Sequence, residues 1–159
     1  MKRSILFSIL FLVFSMNSCS PNPRKFNDEL MKSLSGADME YTSFYSAIDQ
    51  IPENKNYSGL LKKRKEVLKG LDKYTEKINN LQVPEGGEEF KKSCIDYLEI
   101  MKNSLNGFVA EGKSLTENQL DKAMENLGSN EEKLNKLNDK IIEIQKVFSE
   151  KKNFKLEYK

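Results

Sequence analysis

The chain has 159 residues, with 26 Lys and Arg against 24 Asp and Glu, two Cys, and neither His nor Trp. Without histidine there is no Ser-His-Asp or Cys-His nucleophile pair, no imidazole-ligated metal and no side chain whose unperturbed pKa lies near neutrality. The near balance of charge excludes a nucleic-acid binder working through bulk attraction, which requires a clear positive excess.

Residues 1–18 read as a removable leader. Lys2 and Arg3 precede an apolar run from Ile5 to Phe14, broken only by Ser8 and closed by Ser15 and Asn17. Ten helical residues span about 15 Å, roughly half the hydrocarbon thickness, so the run fits a signal-peptide core rather than a retained membrane span. Ser18-Cys19 follows at the point where a leader peptidase cuts, and Ser15-Met16-Asn17-Ser18-Cys19 resembles a bacterial lipobox, with Asn17 and Met16 departing from the small residue and Leu that lipoboxes favour. Cys19 is accordingly the expected lipidation site, with a palmitate-type acyl anchor; ordinary signal cleavage leaving a free thiol is the alternative. Removing residues 1–18 leaves 141, one domain in size, with 24 basic and 24 acidic side chains. Residues 19–25, with Pro21 and Pro23, read as an extended tether.

From there to residue 154 the pattern predicts an all-α, antiparallel up-down-up-down four-helix bundle. The first stripe is Phe26, Leu30, Leu34, Ala37, Tyr41, Phe44, Ile48 and Ile51, every step three or four residues. Asn27 is the expected N-cap, Phe26 and Met31 a hydrophobic staple, and Pro52 the stop, with Ser35-Gly36 a place for a bend. After a polar turn over residues 53–56, the second stripe is Tyr57, Leu60, Leu61, Arg64, Val67, Leu68, Leu71, Tyr74, Ile78 and Leu81. Val83-Pro84-Glu85-Gly86-Gly87 breaks it. The third stripe is Phe90, Cys94, Tyr97, Leu98, Met101, Leu105 and Phe108, closed by Gly112. Thr116 and Gln119 form a capping box for the fourth stripe: Leu120, Met124, Leu127, Glu131, Leu134, Leu137, Ile141, Ile144 and Phe148. Gly128-Ser129-Asn130 leaves open whether this helix is split or kinked. Residues 155–159 form a C-terminal tail; the alternation of Phe154, Leu156 and Tyr158 fits an extended end laid on the bundle. Helices of roughly 25 to 35 residues give a bundle about 40 to 50 Å long.

Each chemical constellation has a structural explanation. Bundle di-iron chemistry requires Glu-x-x-His pairs, haem attachment requires C-x-x-C-H, and structural zinc requires clustered Cys or His, so no metal or cofactor is expected. Glu88-Glu89 suits a helix start, where acidic side chains meet the positive end of the dipole. Glu131-Glu132 is a second acidic pair on the fourth helix. Arg64 and Glu131 lie on the seams, about 10 Å and 21 Å from the same bundle end, too far apart to pair directly; both read as seam-edge residues reaching the surface. Lys62, Lys63, Arg64 and Lys65 spread around the helix circumference and read as a solvated face, with contact to anionic lipid or acidic glycan the competing reading. Cys94, between Phe90 and Leu98, reads as a buried small hydrophobe.

The lipobox-like Ser18-Cys19, the opening Phe26-Asn27-Asp28-Glu29-Leu30, and the helix end Ile144-Gln145-Lys146-Val147-Phe148 followed by Phe154 resemble a family of small helical bacterial surface lipoproteins of leptospiral and Bacteroidetes type. The resemblance is a pattern over residues 26–154. It implies an acylated, all-helical protein exposed on the envelope, some members binding host or extracellular ligands, and it transfers no catalytic residue. The expectation is a non-enzymatic envelope protein of the outer membrane, held through its lipid and presenting the bundle to an unknown protein or extracellular ligand, with no nucleic-acid partner. A periplasmic scaffolding or assembly factor docking partner helices is the alternative.

Overall fold

The computed structural model describes residues 20–51, 57–108 and 116–156, and among these described residues four long helices follow one another. They are α1 (Pro23–Asp49), α2 (Tyr57–Asn79), α3 (Glu88–Leu105) and α4 (Glu117–Lys151). Cys19, the leader and the segments 52–56 and 109–115 lie outside the described residues. α1 packs on α2 and α3 on α4, and the two hairpins join through α2 against α3 and α1 against α3. At one pole, the Phe26 ring of α1 meets Phe90 of α3 and Phe148 of α4, at centroid distances of 6.2 and 5.8 Å. At the other, Phe44 of α1 meets Phe108, just past α3, at 4.8 Å. This is the expected antiparallel bundle.

The first three stripes are the core. All eight apolar residues predicted for α1 are buried, as are all seven of the third stripe; in α2, Leu60, Val67, Leu71 and Ile78 are buried, with Leu61, Leu68 and Tyr74 packed at the edge. The fourth stripe needs a correction. In the first half of α4 the inward positions are Ala123, Leu127, Asn130 and Leu134, while Met124 is 40% exposed and Glu131 lies on the outside. Steps of three and four are equally helical, and the packing selects the phase that brings small Ala123 close to the loop at Gly107.

The helix ends also differ from expectation. α1 starts at Pro23, not after Asn27: Asn22 is extended and its side chain accepts from the Lys25 amide at 3.0 Å, with Pro23 in the first turn, where a missing N–H costs nothing. The tether thus shrinks to residues before 23, and Asn27 is a buried core residue. α2 and α3 have 23 and 18 residues, shorter than expected. α3 stops at Leu105, before Gly112, in a tight Asn106-Gly107 turn that returns Phe108 to the core. α4 is one unbroken helix of 35 residues with the Thr116–Gln119 capping box formed. It ends in a Schellman motif: Asn153 has φ 55°, the Phe154 amide donates to Ser149 O and the Asn153 amide to Glu150 O. The Phe154 ring then packs on Phe148 at 5.9 Å; Tyr158 and the rest of the predicted tail after residue 156 lie outside the described residues.

The two mid-helix glycines have opposite meanings. A Cβ at Gly36 would stand 2.5 Å from the Tyr74 hydroxyl and 2.6 Å from its ring, so glycine lets α2 lie close against an unbroken α1; a Cβ at Gly128 would meet nothing within 4 Å. Gly128→Ala should therefore raise stability by about 1 kcal/mol. Gly36→Ala should lower it by about 1 to 3 kcal/mol, and the loss should disappear in a Tyr74→Ala background; chemical denaturation of the four proteins measures this.

Candidate functional site

One cluster of polar side chains lies where α3 ends. Leu105 O accepts from Arg64 Nε of α2 at 2.7 Å, and Ser104 O accepts from Asn126 Nδ2 of α4 at 3.1 Å. The Ser104 hydroxyl donates to Met101 O at 2.6 Å and pairs at 2.5 Å with the Tyr41 hydroxyl of α1. Side chains of neighbouring helices thus reach both terminal carbonyls, Asn126 that of Ser104 and Arg64 that of Leu105, which also accepts from the Phe108 amide at 3.2 Å. Arg64 does not reach freely into solvent as its seam-edge position predicted: its stem is half-buried and its head caps α3. Burial holds its pKa below the ordinary arginine value. The basic run of which it is part does not act as one face, since Lys62 and Lys65 are exposed and Lys63 is half-buried.

Two further polar links cross the core. Gln145 Nε2 donates to Asn27 Oδ1 at 2.9 Å, joining the far ends of the bundle sequence near the phenylalanine pole. Tyr97 of α3 donates to Asp38 Oδ1 of α1 at 3.0 Å. Burial raises the pKa of Asp38, although the tyrosine bond opposes the shift. Burial likewise raises Tyr97, Tyr41 and Tyr45, reinforced by Asp38 at Tyr97 and by Glu131 at the other two. No buried side-chain nitrogen or oxygen among the described residues lacks a partner.

The remaining candidates resolve into structural roles. The Cys94 thiol is fully buried, and burial pushes its pKa up to about 12, so it packs as an apolar group. Glu88 and Glu89 occupy the first turn of α3, and Glu89 also pairs with Lys140 at 3.2 Å. Glu132 pairs with Lys136 at 2.5 Å on the exposed side of α4. Gly86-Gly87 is a turn, with Gly86 at φ 78°. No group of three or more His, Cys, Asp or Glu capable of holding a metal occurs among the described residues, and no described helix is long and apolar enough to cross a membrane.

Concave surface lies outside the core. A groove of about 640 Å³ runs between the first half of α1 and the second half of α2, lined by Glu29, Lys32, Gly36, Met39, Tyr74 and Lys77 among others. Met39 is 73% exposed on its rim, and Lys77 Nζ stands 4.9 Å from the Tyr74 ring centroid. Gly36 creates the floor by admitting Tyr74, and its place within a strong helical stripe is the one sequence signal for this groove. A smaller depression of about 300 Å³ lies by Gly86, Glu89, Lys140, Val147 and Lys151. Cys19, the predicted lipidation site, is outside the described residues. Comparison with protein-family models, with curated proteins and with solved structures finds no match.

Two measurements check the polar core. Arg64→Met should cost about 1 to 2 kcal/mol in denaturant unfolding, because Leu105 O loses a charged donor. The folded pKa of Asp38 lies above its ordinary 3.8, so Asp38 contributes stability at pH values below 3.8 and loses it as pH rises through the folded value. Asp38→Asn, which keeps an acceptor for Tyr97, should therefore be more stable than the parent at pH 7, with the advantage vanishing below the unfolded pKa.

Proposed function

We propose that the protein is a non-enzymatic, lipid-anchored component of a bacterial envelope, attached through Cys19 at the outer membrane and presenting its helical bundle as a binding module at the cell surface. The observation that carries this reading is the sequence around Cys19. A cationic start and an apolar leader-length run end in Ser18-Cys19, and the N-cap of α1, Asn22, follows three residues later. Acyl chains at such a cysteine hold a protein on a bilayer, each buried methylene contributing about 0.8 kcal/mol. The resemblance to helical surface lipoproteins supports the same reading. The bundle adds that its polar interior is satisfied and its one thiol buried, which directs attention to outer surfaces such as the α1–α2 groove for a partner.

Replacing the cysteine tests the anchor. In cells expressing the full chain, labelled palmitate should enter the parent and not Cys19→Ala, and the variant should leave the membrane fraction. Protease treatment of intact cells, with a periplasmic protein as leakage control, should digest the parent. Protection with retained membrane association would instead favour a periplasmic scaffold that docks partner helices.

A further inference from the structure

The two poles of the bundle differ in charge. At the pole where α1 begins, α2 turns into α3 and α4 ends, residues 20–25, 82–87 and 151–156 carry Arg24, Lys25, Lys151, Lys152 and Lys155 against the single acid Glu85. These segments meet in space: Phe26 packs on Phe90 and Phe148, and Lys152 Nζ pairs with Glu85 at 3.4 Å. At the opposite pole, the described residues 48–51, 57–60, 105–108 and 116–119 carry Asp49 and Glu117 and no basic side chain.

The demands of the helices explain only part of this asymmetry. Lys151 and Lys152 suit the negative end of α4, whereas Arg24 and Lys25 occupy the first turn of α1, which contains no acid and where the helix dipole disfavours cations. Arg24 is partly offset by Asp28 at 4.0 Å, a contact between two exposed side chains. Asp28, Glu29, Glu88, Glu89 and Glu150 lie within a helical turn of these segments; of them Asp28 faces Arg24 and Glu89 pairs with Lys140.

The same pole is the one nearest Cys19. Pro23 is the fourth residue after Cys19, a reach of at most about 14 Å even when fully extended, and Asn22 is already extended. A lipid on Cys19 therefore keeps this pole within about two Debye lengths, each about 8 Å, of the headgroups, where the attraction of basic side chains to anionic lipid is weakened but not lost. We propose that the basic pole docks on anionic headgroups of the anchoring membrane, so that the bundle stands end-on and its Asp49–Glu117 pole points away from the bilayer. The 27 residues of α1 then carry the outer pole about 40 Å from the surface. The exposed Lys62 and Lys65 lie toward that outer pole and take no part in docking. The position of the anchor rests on the acylation proposed above; the charge of the pole does not.

The test places one fluorophore on the full, processed chain, either at the docking pole (Gln82→Cys) or at the outer pole (Asn118→Cys), while buried Cys94 stays unlabelled. The protein is inserted into vesicles of phosphatidylethanolamine and phosphatidylglycerol containing a headgroup-spin-labelled lipid. The dye at position 82 should lose most of its emission and the dye at 118 little. Quenching at 82 should fall to its level on phosphatidylcholine vesicles when Arg24, Lys25, Lys151 and Lys155 are all changed to Gln. Equal quenching at both positions, or undiminished quenching at 82 in the fourfold variant, overturns the proposal. Palmitate incorporation with equal quenching removes the docking and leaves the anchor; without palmitate, the same pair carrying Cys19→Ala, so that no second thiol takes the dye, supports the docking if quenching is unequal and overturns it if equal.

Discussion

The bundle depends on how the end of α3 is satisfied. A helix that stops inside a packed structure leaves terminal carbonyls without intrahelical partners, and a half-buried one that finds a donor avoids part of the cost of a lost hydrogen bond. Here each of the other three helices sends a polar side chain to Ser104 and Leu105: Tyr41 from α1, Arg64 from α2 and Asn126 from α4. Apolar seams resist sliding through the shapes of their side chains, as where Gly36 admits the Tyr74 ring. Three directional bonds converging on adjacent residues add a constraint of a different kind, and we take this junction to set the register. At the other end, Phe26, Phe90, Phe148 and Phe154 close the core with edge-on ring contacts, and Gln145 bonded to Asn27 ties the last helix to the first.

A bundle whose buried side-chain polar atoms, among the described residues, all have partners offers its sides and poles for function. The α1–α2 groove exists because Gly36 admits the Tyr74 ring, and its lining mixes charge, thioether and aromatic surface as a binding site for a polar partner would. Among the described residues the poles carry opposite charge. On the proposed reading, the basic one rests at the membrane and the acidic one is displayed, so the chain's near-neutral total conceals a directional distribution.

The architecture was legible in the sequence because helical periodicity is local: apolar residues three and four apart declare a face without knowledge of what covers it. The same degeneracy caused the error in α4, where Leu127 to Leu134 passes through either Asn130 or Glu131 by steps of three and four. Hydrophobicity favoured neither, and only the approach of Ala123 to the Gly107 turn decided. Asn22 rather than Asn27 caps α1 because Pro23 suits the first turn, a signal present in the sequence but read there as a breaker. The convergence on Ser104 was not legible. Tyr41 and Ser104 are 63 residues apart and Asn27 and Gln145 are 118 apart, and nothing in a small polar side chain announces a distant partner. Arg64 stood out as a charge on an apolar seam, yet its destination, a carbonyl 41 residues away, depends on where α3 stops.

The claim that this junction sets the register is tested most directly by a double-mutant cycle between Tyr41→Phe and Asn126→Ala, read by denaturant unfolding. The two side chains come from different helices and meet only through Ser104, so the account predicts a coupling of about 0.5 to 3 kcal/mol. Additive losses, equal to their sum within about 0.5 kcal/mol, would show that the bonds act independently and that apolar packing alone holds the helices in place.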